Sequence, residues 1–114
     1  MAVHALPTRY PFAALRDFAA RAFERVGMPA ADARVVAGLM AAAEQQGSEG
    51  HGMIRMVPYV RRIRAGGLNL HPQIRVVQER AAMALVDGDN GMGHLVMKRA
   101  TEMAIGRASC RERV

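Results

Sequence analysis

Apolar residues recur every three or four positions through the first half of the chain, which predicts amphipathic helices. The first helix is predicted over residues 12–26 and the second over residues 30–46. Gly27 and Gly47 follow them and suit helix ends. The apolar stripes are Leu15, Phe18, Ala19, Ala22, Phe23 and Val26 in the first helix, and Val35, Val36, Leu39, Met40 and Ala43 in the second.

A third helix is predicted from about Met53 to the glycine pair at Gly66 and Gly67. Its apolar face consists of Met56, Tyr59, Val60 and Ile63. Pro58 conflicts with this pattern, because proline removes a backbone donor and clashes inside a helix. It therefore either lies in the first turn or kinks the helix.

After Pro72 the apolar pattern changes to that of extended chain. Residues 74–79 and 82–86 are predicted as two strands joined by a turn at residues 79–81, which makes a β-hairpin. A polar, glycine-containing loop follows at residues 87–91, and a last helix is predicted over residues 93–107.

The order of these elements predicts an α+β fold, in which a three-helix segment precedes a β-hairpin and a further helix. The composition changes near residues 68–71. We therefore expect a helical segment over residues 1–70, the start of an α/β domain over residues 71–108, and an unrelated tail over residues 109–114.

The chain has 114 residues and a formal charge of +6, so a basic helical module that binds an acidic partner or nucleic acid is one alternative. The arginines are scattered, however, and the densest group, Arg61-Arg62-Ile63-Arg64, has no interleaved aromatic residues for stacking on bases. We rank this alternative below a solvated basic surface and expect no nucleic-acid partner.

A single cysteine, Cys110, excludes a disulfide within the chain and fits a reducing cytoplasm. The first residues lack the basic and apolar regions of a signal peptide, and no apolar run approaches the ~18 residues of a membrane span. We expect a cytoplasmic protein without a membrane partner.

Three weaker motifs favour ordinary structure. The loop Asp87-Gly88-Asp89-Asn90-Gly91 differs from a calcium loop in the position of its glycine and has Lys98 at the twelfth position. Residues 91–96 follow a strand, as a dinucleotide fingerprint does, but have Val96 in place of the third glycine. The four histidines show no metal-ligand spacing, so no metal site is predicted.

Residues 47–55 carry the strongest chemical signal, because His51 lies between Gly50 and Gly52 and Arg55 follows four residues later. Histidine exchanges a proton near neutral pH, and arginine offers a planar fork of donors to a carboxylate. If the segment is helical, the two side chains share a face. They then suit a small oxo or hydroxy acid. The competing interpretation is a solvated or capping loop histidine and an exposed arginine.

Four spaced motifs extend this signal along the chain. They are Gly47-x-x-Gly50-His51-Gly52-Met53-Ile54-Arg55-Met56-x-Pro58-Tyr59, Gly66-Gly67-Leu68-Asn69, Ala84-Leu85-Val86-Asp87-Gly88-x-x-Gly91-x-Gly93 and Ala100-x-x-x-Ala104. In this order they resemble the malate/L-lactate dehydrogenase-like family of NAD(P)-dependent oxidoreductases, which does not use the Rossmann fold. The resemblance covers residues 12–107.

The resemblance implies that His51 is the catalytic acid/base and that Arg55 helps to bind the substrate. It further implies NAD or NADP as cofactor, interconversion of small 2-hydroxy and 2-oxo acids, and a homodimer when full length. It assigns no cofactor-binding residues within this chain.

The chain departs from the family pattern in two places. Gly50 stands where the family has a serine or threonine directly before the histidine, so a hydroxyl group is missing there. After Ala108 the family continues for a long distance, whereas this chain ends within a few residues. We therefore expect the N-terminal part of such an enzyme, with little or no activity alone.

Overall fold

The computed structural model describes residues 8–111, with side chains through Ala108. It confirms the predicted α+β class and the order of elements. The helices are α1 (Phe12–Arg25), α2 (Ala30–Gln45), α3 (Met56–Arg64) and α4 (Gly93–Arg111). Two short 3₁₀ turns, Glu49–His51 and Met53–Arg55, lie between α2 and α3, and the strands are β1 (Arg75–Arg80) and β2 (Met83–Asp87).

Each of the first three helices ends in a Schellman motif at a glycine. Gly27, Gly47 and Gly66 have φ values of 102°, 80° and 73°, which glycine adopts without steric cost. After α2, the N–H of Gly47 bonds to Glu44 O and the N–H of Ser48 bonds to Ala43 O. These glycines confirm the predicted helix ends and fix where the turn with His51 begins.

Pro58 is the third residue of α3, so it lies in the first turn. Backbone N–H groups there have no partner within the helix, and proline loses nothing. The sequence conflict is thereby resolved without a kink.

The core lies between α1 and α2 and extends to one face of α3. Phe23, Val36 and Met40 are its largest fully buried side chains. Apart from Ile63, the other buried members are alanines and flexible methionines: Ala19, Ala20, Met28, Ala33, Ala37, Met56 and Met92. Met92 belongs to the segment before α4, so this residue connects the second half of the chain to the helical core.

The two strands form an antiparallel hairpin whose register is irregular between Val76 and Gln78. Arg107 of α4 anchors its turn, because Nη1 donates to the carbonyls of Arg80 and Met83, both at 3.3 Å. The same guanidinium forms an ion pair with Glu79. The strands otherwise expose apolar side chains, and the chain is elongated, with a radius of gyration of 17.5 Å against about 13 Å for a compact domain of this length.

A hydrogen-bonded junction joins the loop after α3 to the loop after β2. Asp89 Oδ2 accepts hydrogen bonds from Asn69 Nδ2 and from the backbone N–H of Gln73, each at 2.9 Å. Asp87 Oδ1 accepts from the N–H of Asp89 at 2.8 Å. Asp89 thus holds the two loops together, Asp87 stabilises the loop that contains Asp89, and the junction fixes the start of α4.

Helix α4 continues past its predicted end at Arg107 to Arg111. His4 and residues 112–114 lie outside the described residues, as does the side chain of Cys110. Among the described residues, no helix combines the length and apolar character that crossing a membrane requires.

Candidate active site

The turn that carries His51 is a short 3₁₀ segment, Glu49–His51, placed directly after the end of α2. The N–H of His51 donates to Ser48 O at 2.9 Å, which closes the turn. No described residue forms a hydrogen bond with the imidazole of His51. The side chain is exposed and accessible to a ligand.

Glu44 of α2 stabilises the backbone directly after this turn. Its Oε1 accepts a hydrogen bond of 2.9 Å from the backbone N–H of Met53. Gly52 is buried beneath it, and a Cβ added at Gly52 would lie 2.6 Å from the Glu44 carboxyl group. A side chain at position 52 would therefore displace the Glu44 carboxyl group from the N–H of Met53, whereas a Cβ at Gly50 would meet nothing within 4 Å.

Arg55 folds back toward the same turn. Its Nε donates a 2.7 Å hydrogen bond to the carbonyl of Gly50, the residue before His51. The backbone is not a continuous helix here, because Gly52 interrupts it with φ −93° and ψ −142°. The condition for a shared helix face is thus not met, and Arg55 approaches His51 through the backbone of the turn.

His51 lies on the wall of a cavity of about 1000 Å³, which we call the central cavity. Residues of α2, α3, the segment before α4 and α4 itself complete its wall. Its apolar members include Val35, Leu39, Tyr59, Leu68, Met92 and Met97. Such a wall, with a few polar groups converging on it, is typical of small-molecule sites. Arg55 is not among the lining residues.

His94, the second residue of α4, lines the same cavity. The ring of Tyr59 meets the ring of His94 edge to face, with 5.8 Å between centroids and 83° between planes. Burial, and secondarily the charge of His51, lower the pKa of His94 from 6.5. The two histidines, distant in sequence, therefore face one cavity closely enough to interact electrostatically.

The remaining charged groups of the wall are mostly cationic. Arg34, Arg62 and Lys98 line the cavity with a single carboxylate, Glu102. Lys98 forms an ion pair with Glu102, and the hydrogen bond and charge of Lys98 lower the pKa of Glu102. Arg34 has no hydrogen bond or ion pair with any described residue, so the cavity suits an anion.

The structure thus places His51 on the wall of the cavity and Arg55 outside it. Two further residues of the site, Glu44 and His94, were not predicted from the sequence. No sequence signal marks Glu44, because its role depends on its packing against Gly52 in the folded chain. His94 stood in a segment considered for a dinucleotide fingerprint, yet the described residues form only an antiparallel hairpin before α4, without a βαβ unit. No group of three potential metal ligands occurs among residues 8–111.

Comparisons with known proteins identify the class. A family model for malate/L-lactate dehydrogenase matches residues 10–111. The malate dehydrogenase of Pyrococcus horikoshii is 42% identical over 100 residues, which are 88% of this chain and 28% of that protein. The L-sulfolactate dehydrogenase of Methanocaldococcus jannaschii is 36% identical over 85 residues, 75% of this chain and 25% of that protein.

The solved structure of the Pyrococcus horikoshii malate dehydrogenase superposes with a TM-score of 0.86 and 41% identity, over 90% of this chain and 29% of that one. Fold and sequence therefore point to the same family of proteins. The chain belongs to the malate/L-lactate dehydrogenase family. It spans little more than a quarter of the length of the relatives it matches.

Proposed function

We propose that this chain is the part of an NAD- or NADP-dependent dehydrogenase that binds a small 2-oxo or 2-hydroxy acid and exchanges its proton through His51. The observation that carries the proposal is the position of His51 on the cationic wall of the central cavity. The relatives are named for malate and for L-sulfolactate, both small hydroxy acids, which supports the same substrate class here.

In this proposal, the protonated imidazole of His51 donates its proton to the carbonyl oxygen of a 2-oxo acid while hydride reaches the carbonyl carbon. The product is the 2-hydroxy acid, and in the reverse direction the neutral imidazole accepts the hydroxyl proton. Histidine is suited to both directions because its ordinary pKa lies near neutral pH. The exposed imidazole has no hydrogen bond to a described residue that would have to break first.

Arg55 is proposed to help hold the acid group of the substrate. Its Nε is used by the carbonyl of Gly50, while its two terminal amino groups form no hydrogen bond with a described residue. A guanidinium has five N–H donors, so a carboxylate can still be bound. The hydrogen bond from Arg55 to Gly50 also restrains the backbone next to His51. The acid group of the substrate and the proton donor are thereby held in a fixed relative position.

The central cavity also fits part of a nicotinamide cofactor. The apolar side chains of Leu39 and Met97 suit a flat ring, and the cations Arg34 and Arg62 suit a neighbouring phosphate. When bound, the cofactor supplies or accepts the hydride. Choice between NAD and NADP, a homodimeric assembly and a cytoplasmic location are further parts of the proposal, supported by the family resemblance.

A chimera tests the proposal. The matched segment of the Pyrococcus horikoshii malate dehydrogenase is replaced by residues 10–111 of this chain, and reduction of 2-oxo acids by NADH and NADPH is measured. We expect the chimera to be active and His51→Ala to lower kcat by at least about 100-fold. The matched control is His71→Ala, since His71 is exposed in a loop away from the cavity.

Turnover by His51→Ala equal to that of the unmodified chimera would refute the role of His51. The 114-residue chain alone is expected to show no measurable turnover, because it has little more than a quarter of the length of its relatives. Robust NAD(P)H-dependent reduction by the chain alone would contradict that expectation.

A further inference from the structure

The central cavity contains a second histidine that the proposed function does not yet use. His94 and His51 come from separate segments, the start of α4 and the turn after α2, and both line the cavity. Their proximity is a product of the fold, since the junction around Asp89 fixes the loop that leads into α4.

We propose that His94 is a second substrate-contacting residue, which binds an oxygen of the same small acid that His51 protonates. The proposal rests on the proposed function of the cavity and adds a specific ligand contact to it. It concerns recognition of the acid, and the proton that reaches the carbonyl oxygen still comes from His51.

The first support is the hydrogen-bonding state of the His94 ring. The side chain is half-buried, yet neither ring nitrogen forms a hydrogen bond with a described residue. Tyr59 contacts the ring edge to face and restrains its orientation without using a nitrogen. A half-buried polar ring whose nitrogens have no protein partner has its hydrogen-bonding capacity available to a ligand.

The second support is charge. Burial and the charge of His51 lower the pKa of His94, which favours the neutral form of its imidazole. A neutral imidazole has one N–H donor and one acceptor nitrogen. It can therefore donate to a carboxylate oxygen or accept from a hydroxyl group, which matches the two functional groups of a 2-hydroxy acid.

The charged and titratable groups around His94 come from each element that borders the cavity. They are Arg34 of α2, His51 of the preceding turn, Tyr59 and Arg62 of α3, and Lys98 and Glu102 of α4. Lys98 is paired with Glu102, so their two charges offset each other. Arg34 and Arg62 leave the wall with a net positive charge, which attracts an anion into contact with both histidines.

The experiment uses the 114-residue chain with labelled histidines and tartronate, a stable 2-hydroxy dicarboxylate, as the probe. Imidazole resonances are followed by NMR during titration. We expect tartronate to shift the resonances of His51 and His94 with one dissociation constant and to leave His71 unchanged. His94→Phe and His94→Leu, whose side chains have no donor or acceptor, should each weaken binding about tenfold, the effect of one lost hydrogen bond, while His71→Leu should not.

A second readout tests whether the two imidazoles lie close enough to interact. In the chain without ligand, His51→Gln should raise the pKa of His94, because one of the two causes that lower it is removed. Far-UV circular dichroism and the melting temperature of each variant confirm that it is folded.

A tartronate shift at His51 but not at His94, or unchanged affinity in both folded His94 variants, would overturn this inference and leave the proposed function standing. If neither histidine responds to tartronate, the cavity does not take a small hydroxy acid, and the inference and the proposed function both fail.

Discussion

The carboxylate of Glu44 accepts a 2.9 Å hydrogen bond from the backbone N–H of Met53 and closes over the buried Gly52. This contact joins the last turn of α2 to the segment that leads into α3, with His51 held between them. The position of the proposed acid/base is therefore set by a residue that does not line the cavity.

Replacing Gly52 with alanine should destabilise this turn, because the new methyl group would lie 2.6 Å from the Glu44 side chain. We expect the free energy of unfolding to fall by about 1–3 kcal/mol, as for other overpacked sites. Urea denaturation measures the change. Gly50→Ala is the matched control, since its methyl group meets nothing within 4 Å. Equal losses in both variants would contradict the role given to Glu44.

Glu44→Ala should also destabilise the turn, by about 1 kcal/mol, because the N–H of Met53 loses its acceptor. Glu44→Gln retains a carbonyl oxygen at the same position and should recover most of the loss. The comparison is made from chemical denaturation curves. If Gln is as destabilising as Ala, the hydrogen bond is not what holds the turn.

The lowered pKa of His94 predicts a pH-dependent stability. Between its lowered pKa and 6.5, the unfolded state binds more protons than the folded state, so the free energy of unfolding decreases as the pH falls through this window. The contribution is fully present above 6.5. Urea denaturation from pH 8 to pH 5 should show a smaller decrease in His94→Gln than in the unmodified chain.

His71→Gln serves as the reference for that titration, because His71 is exposed in a loop. Its pH profile should follow that of the unmodified chain. Identical profiles for His94→Gln and the unmodified chain would exclude the proposed linkage.

Arg107→Met should loosen the hairpin from α4, because the guanidinium bonds to the carbonyls of Arg80 and Met83 and to the carboxylate of Glu79. We expect a loss of about 1–2 kcal/mol and faster amide hydrogen exchange in β1 and β2. Arg99→Met removes an exposed arginine of the same helix that forms no hydrogen bond with a described residue. Similar exchange rates in the two variants would contradict the anchoring role of Arg107.

Local patterns predicted most of the secondary structure. The glycines at positions 27, 47 and 66 end helices because no other residue reaches positive φ so readily. The apolar stripes predicted the buried faces of α1 and α2 only in part, because Phe23 and Met40 are buried whereas Phe18 and Leu39 are exposed. Both strands lie one residue later than predicted, and the turn is at residues 81–82 instead of 79–81, because alternating short strands do not specify their register alone.

The candidate site was predicted only in part. His51 was recognisable because glycines flank it and Arg55 follows at a fixed spacing. The interruption of the helix at Gly52 was not recognisable from the sequence, since it depends on the Glu44 side chain that packs there. Arg55 consequently contacts the carbonyl of Gly50 and does not line the cavity.

The sequence by itself determined the helices, their ends, the histidine turn and the family resemblance, because each depends on neighbouring residues or on motif order. Only the tertiary structure decided that His94 lies beside His51 and that Arg34, Arg62 and Lys98 share their cavity. That outcome depends on long-range contacts, above all the junction between Asn69 and Asp89, which no local pattern of hydrophobic and polar residues encodes.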